Sequence, residues 1–549
     1  VGGLAIGGWE DSTPVFGAGG IPREFGPELL GGDFDRFAPI GEAALSRIPS
    51  FGETGIKSMI NGPIPISADG EPIMGKAPGL DNFLVSCGFT SGIAAAGGAG
   101  EAMANWILEG DPGFNLFAFD LLRFGPIHSA FYFLHARATE SYASYYAISW
   151  PGHEPASARP ARTSPLHDVL LARGAVHGSK FGWERPNHFA RDPADRAERM
   201  SFGRPGWFDA VGAEHRAVRE RVALVDMSSF TKVEIDGPGA LAALQRIACN
   251  DMDREPGTIV YTQFLNARGG IEADLTITRL AEDRFYLVTG SAFGPHDLAH
   301  LDDHLPRDGS VRVTDVTSGW AVINLCGPRA RDVLAAAASG DVSDAACPYM
   351  QARDLWIGHA RVRALRVSYV GELGWELHMR SEDARAVHAR LWRAGEAHGI
   401  ADAGYRCISS LRLEKRYLYW GADITPDETP LEAGLGFCVA WRKGDFIGRA
   451  ALERQKAAGV ERRLAWFDAP GEAHWHGGEA ILQDGRIVGT VRSGGYGYTV
   501  GRSIACGYVP VECLAPGAGG FEVEAFGERR AVERHEAPLH DPRGARLRG

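Results

Sequence analysis

No apolar run in this sequence approaches the roughly 20 residues that a helix needs to cross a bilayer, so no membrane insertion is expected. Cysteine is sparse. The eight residues Cys87, Cys249, Cys326, Cys347, Cys407, Cys438, Cys506 and Cys513 form no CxxC pair. Several lie in apolar strings (INLCGP, GLGFCVAW), where buried, reduced thiols of a reducing compartment such as the cytoplasm are the expectation. Positive charge is also short: 57 Lys and Arg face 69 Asp and Glu, a net charge of −12. That balance lacks the basic footprint that nucleic acid or an anionic membrane requires. Several chemical signatures are missing too. There is no GxGxxG after an N-terminal strand, no P-loop, no GxSxG, no HExxH and no Cys/His ligand cluster. The sequence therefore carries no ADP-binding half of a dinucleotide fold and indicates no metal.

What is present is an ordinary globular composition, 45% hydrophobic and 23% charged, in a chain too long for one core. Three or four domains are expected. The 71 glycines predict many tight turns. The first residues, VGGLAIGGWE, read as the inside of a strand, so the sequence reads as a fragment of a longer protein. GLAIGGW, IKSMINGPIPISADGEPIMG and NFLVSCGF read as strands, and SGIAAAGGAGEAMANWILEG as a helix stopped by Gly110–Asp111–Pro112. An aromatic-rich stretch and a Pro/Ala/Arg linker follow, and a new segment starts near 166. From about 205 to 435 strands and helices alternate, with IEADLTITRL and FYLVTGS as a period-2 strand pair. The last hundred residues read as short strands with Gly turns, a small β-barrel or jelly roll, and no helix after ALERQKAAG.

Four clusters could carry chemistry. Gly88-Phe89-Thr90-Ser91-Gly92-Ile93 leads into a Gly-rich helix whose bare N-terminus suits an anion or an electron-rich carbonyl; tight packing of small residues is the alternative. Asn266–Leu275 turns on Gly269–Gly270 and places Asp274 early in a strand, where a carboxylate can orient an amine or move a proton; a solvated rim acid is the plainer reading. Tyr369-Val370-Gly371-Glu372-Leu373-Gly374-Trp375-Glu376 sets an aromatic and a carboxylate across a presumed hairpin. That pair suits an aminopyrimidine, by stacking and charge-assisted hydrogen bonds, although a hairpin with one surface acid has the same sequence. Ser410–Arg416 reads as a charged helix with surface ion pairs.

Taken together these stretches resemble a known family. GPIPISADGEPIMG, GFTSGIAAAGGAGEAMANWILEG, LHDVLLARGAVHGSKFGWERPNHF, LNARGGIEADLTITRL, YVGELGWELH, SLRLEKRYLYWGAD, TPLEAGLGF and RSGGYGYTVGRSIACGYVP are similar, in order, to the dimethylglycine dehydrogenase and sarcosine dehydrogenase family. The second half also resembles the glycine-cleavage T-protein, a tetrahydrofolate-dependent aminomethyltransferase. The resemblance implies a multidomain α/β (α+β) flavoenzyme in four parts. Residues 1–112 would be the remnant of a D-amino-acid-oxidase-like FAD domain and 113–170 a linker domain. Residues 171–435 would be a T-protein-like folate-binding domain and 436–549 a small C-terminal β-barrel. It further implies oxidation of dimethylglycine or sarcosine with FAD and passage of the one-carbon unit to tetrahydrofolate, giving 5,10-methylenetetrahydrofolate. It names no electron acceptor. By resemblance Asp274 is catalytic, Tyr369 and Glu376 hold the pterin, and Gly88–Ile93 closes over the flavin ring. The T-protein branch shows two acids before the Leu; here Ala273 stands in the first place. Two rival expectations remain: a non-catalytic regulatory subunit like that of pyruvate dehydrogenase phosphatase, and a stand-alone aminomethyltransferase.

Overall fold

The computed structural model describes residues 3–80 and 82–548, and the side chains of all of these except 194 and 195. The chain divides into two compact units, Val1–Ser149 with Glu154–Ala161, and Trp150–His153 with Arg162–Gly549.

The first unit has little core. Strands Ile73–Lys76 and Leu84–Cys87 pair antiparallel, and the helix Gly92–Glu109 packs Ala102 against Met74 and Leu116. The helix stops where the sequence places the stop: Gly110 takes the left-handed conformation, and its N–H donates to the Trp106 carbonyl. Three sequence expectations are corrected here. Residues 3–9 (GLAIGGW) form no strand, and within IKSMINGPIPISADGEPIMG only its last residues do. A ladder needs a partner over several residues, and among the described residues these runs make no more than the isolated bridge Leu30–Asn61 outside that last strand. Helices Phe34–Arg47 and Phe131–Ser144 appear where no helix was read. The former is capped by Asp33, whose carboxylate accepts from the Arg36 N–H.

The second unit follows the sequence pattern closely. A five-stranded antiparallel sheet runs Arg312–Asp315, Thr231–Asp236, Arg284–Thr289, Ile271–Ala281, Ile259–Leu265. The period-2 pair is in register, Thr278 opposite Tyr286. A seven-stranded sheet runs Ala338–Ser339, Ala352–Ile357, Ala360–Leu365, Gly374–Arg380, Trp320–Cys326, Ala223–Asp226, Ala401–Asp402, antiparallel except for the last pair. Its apolar face meets the helices His167–Ala172, Ala330–Ala337 and Ala384–Gly395 around Trp375, Leu377 and Val362.

The C-terminal seven strands form one antiparallel sheet. Phe467, Ile481, Val491, Val509 and Val523, from strands along its length, enter a single cluster, so the sheet curls on itself as a barrel does. A short helix, Ala545–Arg548, does follow ALERQKAAG, contrary to the sequence reading. Four residues carry too little periodicity to be seen. No helix among the described residues is long and apolar enough to cross a membrane.

Candidate functional site

The turn before Asp274 is built by its own residues. Asn266 accepts from the Gly270 N–H through its side chain (2.8 Å) and donates to Glu272 (2.9 Å) and the Pro426 carbonyl (3.2 Å). A Cβ on Gly270 would lie 1.8 Å from the Pro426 oxygen, so only glycine lets the two segments meet. Alternation then sorts the strand. Ile271, Ala273, Leu275 and Ile277 enter the core, and Glu272, Asp274 and Thr276 take the other face, each half-buried. Ala273 therefore sits among apolar side chains, on the face opposite Asp274.

Asp274 is not the solvated rim acid of the plainer reading. Burial pushes its pKa up to about 6; hydrogen bonds from Gln263 and Tyr261 oppose that rise, and the charge of Asp297 adds to it. The Gln263 amide donates at 2.8 Å, and its oxygen accepts from the Cys249 thiol at 3.5 Å, which fixes its orientation. Tyr261 and Gln263 were missed in the sequence. Their signal was the pair at i, i+2 in the strand IVYTQFL, which the pleat puts on one face.

Tyr369 and Glu376 do not face each other across a tight hairpin. Leu365, not Tyr369, lies opposite Glu376, and residues 366–373 form an eight-residue loop. The motif has too many residues for a two-residue turn. Tyr369 lies in that loop near Asp274, whose charge, after burial, helps raise its hydroxyl pKa. Its hydroxyl donates to the Leu418 carbonyl (2.6 Å) and its ring stacks on Tyr417. Glu376 groups instead with His378, whose Nε2 is 3.5 Å from its carboxylate, and with Tyr405, whose hydroxyl it helps hold protonated. The other acid of the motif, Glu372, is fully buried and taken by Arg219 (3.0 Å) and Arg546 (2.7 Å). Glu376 alone is half-open.

Ser410–Arg416 is corrected. Ser410, Arg412 and Glu414 are buried, not surface, residues. Arg412 pairs with the fully buried Asp423 (2.7 Å), and Glu414 with Arg219 (2.9 Å). The helix Tyr405–Glu414 is packed on several sides, so its charges have no solvent face to use. Among the described residues one group gathers metal-type donors, Asp468, Glu533 and His535. Arg502 donates to Asp468 and approaches Glu533, so a guanidinium already answers those charges.

In the first unit the Leu84–Cys87 strand delivers Gly88 at φ +73°, and the helix begins at Gly92. Ser91 does not cap it; its hydroxyl meets that of Tyr145 (3.1 Å). Thr90 bonds weakly to the Pro65 carbonyl (3.5 Å), and Phe89 packs into the small core. Ile93 is 99% exposed, and Cβ atoms on Gly97, Gly98 or Gly100 would meet nothing within 4 Å. The three glycines are open, whereas Ala102 packs on Met74 and Leu116.

Residues 166–443, just over half of the chain, match the sequence model of the GCVT N-terminal domain, and 462–541 that of the glycine cleavage T-protein C-terminal barrel domain. The chain belongs to the glycine-cleavage T-protein family. Ahead of the T-protein module, residues 2–106 match an FAD dependent oxidoreductase and 109–164 its central domain. The whole chain is 35% identical to human mitochondrial sarcosine dehydrogenase, and 96% of it is 36% identical to mouse mitochondrial dimethylglycine dehydrogenase. It spans 64% and 61% of those two proteins. The aminomethyltransferase T of the Bartonella henselae glycine cleavage system superposes with a TM-score of 0.58 at 28% identity, over 70% of this chain and 99% of that one. Asp274, Tyr261, Tyr369 and Glu376 all lie within the T-protein module.

Proposed function

We propose that the T-protein module binds tetrahydrofolate and charges it with a one-carbon unit. That unit would come from the oxidation of dimethylglycine or sarcosine at an FAD-dependent centre to which residues 1–112 contribute. The linker would be 113–170, the folate domain 171–435 and the barrel 436–549. The observation that carries the reading is Asp274: a half-buried carboxylate, held by two hydrogen bonds, with a pKa raised to about 6.

Tetrahydrofolate supplies the nitrogens that take up the one-carbon unit, giving 5,10-methylenetetrahydrofolate. Asp274 is largely ionised at neutral pH, yet close enough to it to accept a proton and give it up again. Tyr261 and Gln263 hold its oxygens in place, so no solvent reorganises as the proton moves. Tyr369 offers a ring fixed by its bond to Leu418, against which a pterin can lie. Glu376 offers a half-open carboxylate to the N–H groups of an aminopyrimidine. In the first unit, the uncapped helix start after Gly88 points backbone N–H groups where an electron-rich flavin carbonyl could lie.

The raised pKa of Asp274 favours an enzyme over a purely regulatory chain. Seven of the eight cysteines are buried, and all eight are free, which fits a reducing compartment; we assign the cytoplasm. The test is calorimetric titration of the chain with tetrahydrofolate. In the full-length protein, dye reduction by dimethylglycine or sarcosine is then compared with methylenetetrahydrofolate yield. Absence of tetrahydrofolate binding overturns the reading.

A further inference from the structure

We propose that His378 is a positioning residue, which fixes the Glu376 carboxylate through a relay that starts at Tyr286 on the neighbouring sheet. The inference rests on the reading of Glu376 as the pterin-holding acid.

Glu376 and His378 are two residues apart on the Gly374–Arg380 strand and so share a face. His378 is fully buried. Its Nδ1 lies 3.0 Å from the Tyr286 hydroxyl, and its Nε2 lies 3.5 Å from Glu376 Oε2, with no hydrogen-bond partner. Tyr286 is itself fully buried, on the Arg284–Thr289 strand of the five-stranded sheet, with the Arg363 guanidinium over its ring. The relay therefore joins the five-stranded and seven-stranded sheets at the half-open acid of the YVGELGWE motif.

Its polarity follows from the partners. Burial holds the imidazole pKa below its usual value; Glu376 opposes this, and the cations Lys232 and Arg363 add to it. A neutral ring carries one proton. If that proton were on Nδ1, the Nε2 lone pair would face the carboxylate and repel it. With Tyr286 donating to Nδ1, the proton sits on Nε2, the ring nitrogen 3.5 Å from Glu376 Oε2. Among the described residues His378 is the ion-pair partner of the Glu376 carboxylate, and so its anchor. Without it the side chain samples several rotamers, and binding must pay to order it. Tetrahydrofolate affinity then falls roughly 3- to 10-fold.

The test uses calorimetric titration of the whole chain with tetrahydrofolate, and near-UV circular dichroism to confirm folding. His378→Gln keeps a donor at the Nε2 position, whereas His378→Asn keeps a group only for Tyr286. The expected result is weakened binding for His378→Asn, near-normal binding for His378→Gln, and no further loss when His378→Asn is added to Glu376→Gln. Tyr286→Phe, which keeps the shape and frees the tautomer, is expected to weaken binding roughly 2- to 5-fold even if the His378 variants do not fold. Equal loss for the Asn and Gln variants means that the ring acts by packing, and overturns the inference. So does unchanged affinity in Tyr286→Phe, or weak binding in Glu376→Gln with normal binding in His378→Asn. Unchanged affinity in Glu376→Gln overturns the folate reading and this inference together.

Discussion

Replacing Asp274 by Asn should make the T-protein module more stable while disabling it. In the folded protein the carboxyl pKa is about 6, against 3.8 for the unperturbed group, with burial as the main cause. The shift of about 2 units corresponds to about 3 kcal/mol at 1.36 kcal/mol per unit. The sign follows from proton linkage. The folded pKa is the higher one, so folding favours the protonated form. The charge costs nothing below about pH 4, costs progressively more as pH rises from about 4 to 6, and costs its full amount above that. Asn has the shape of the protonated acid and no charge to desolvate. Asp274 keeps some contact with solvent, so the gain should fall short of the full figure, at about 1–3 kcal/mol at pH 7.5. For a unit this size that is roughly 2 °C in Tm per kcal/mol. One-carbon transfer to tetrahydrofolate should fall roughly 100- to 10,000-fold, because the proton acceptor is gone, while amine oxidation in the full-length protein is spared. The assay is thermal or urea unfolding of both proteins at pH 7.5 and near pH 4.5. A variant less stable than wild type at pH 7.5, or a difference that does not shrink towards low pH, would refute the desolvation argument. A variant that transfers carbon normally would refute the catalytic one.

Glu376→Gln should raise the tetrahydrofolate dissociation constant roughly 10- to 150-fold in calorimetric titration, from the loss of one charge-assisted hydrogen bond worth about 1.5–3 kcal/mol; a solvated acid would give no change. Tyr261→Phe removes one of the two bonds that hold Asp274 ionised, so the lower pKa of the pH–rate profile should move upward, and an unmoved profile would show that the hydroxyl plays no part. Asp423→Asn strands the buried Arg412 guanidinium and should destabilise the module by about 3–5 kcal/mol in urea unfolding; a change under about 1 kcal/mol would mean the pair is solvated. The 549-residue chain should leave gel filtration without a flavin absorbance band, because its sequence holds no pyrophosphate-binding turn, and a persistent band would contradict this.

By itself the sequence determined what depends on short-range pattern. The alternation in IEADLTITRL puts Asp274 and Ala273 on opposite faces. The glycine pair makes the turn before them, and Gly110–Asp111–Pro112 ends its helix, each through local backbone geometry. Collinear motifs further carried the family and its order of domains. Tertiary structure decided everything that depends on which segments meet. Tyr261 and Gln263 reach Asp274 because their strand pairs with its strand, and nothing local announces that register. Tyr369 joins Asp274, and Glu376 joins His378 and Tyr405, because an eight-residue loop separates positions that a hairpin would have paired. Ser410–Arg416 looked like a surface helix because charge normally seeks water. Its burial is possible because Asp423 and Arg219, distant in sequence, arrive to neutralise Arg412 and Glu414. The pKa of Asp274 is likewise a property of the packed interior, since desolvation is set by what surrounds a group and not by its neighbours along the chain.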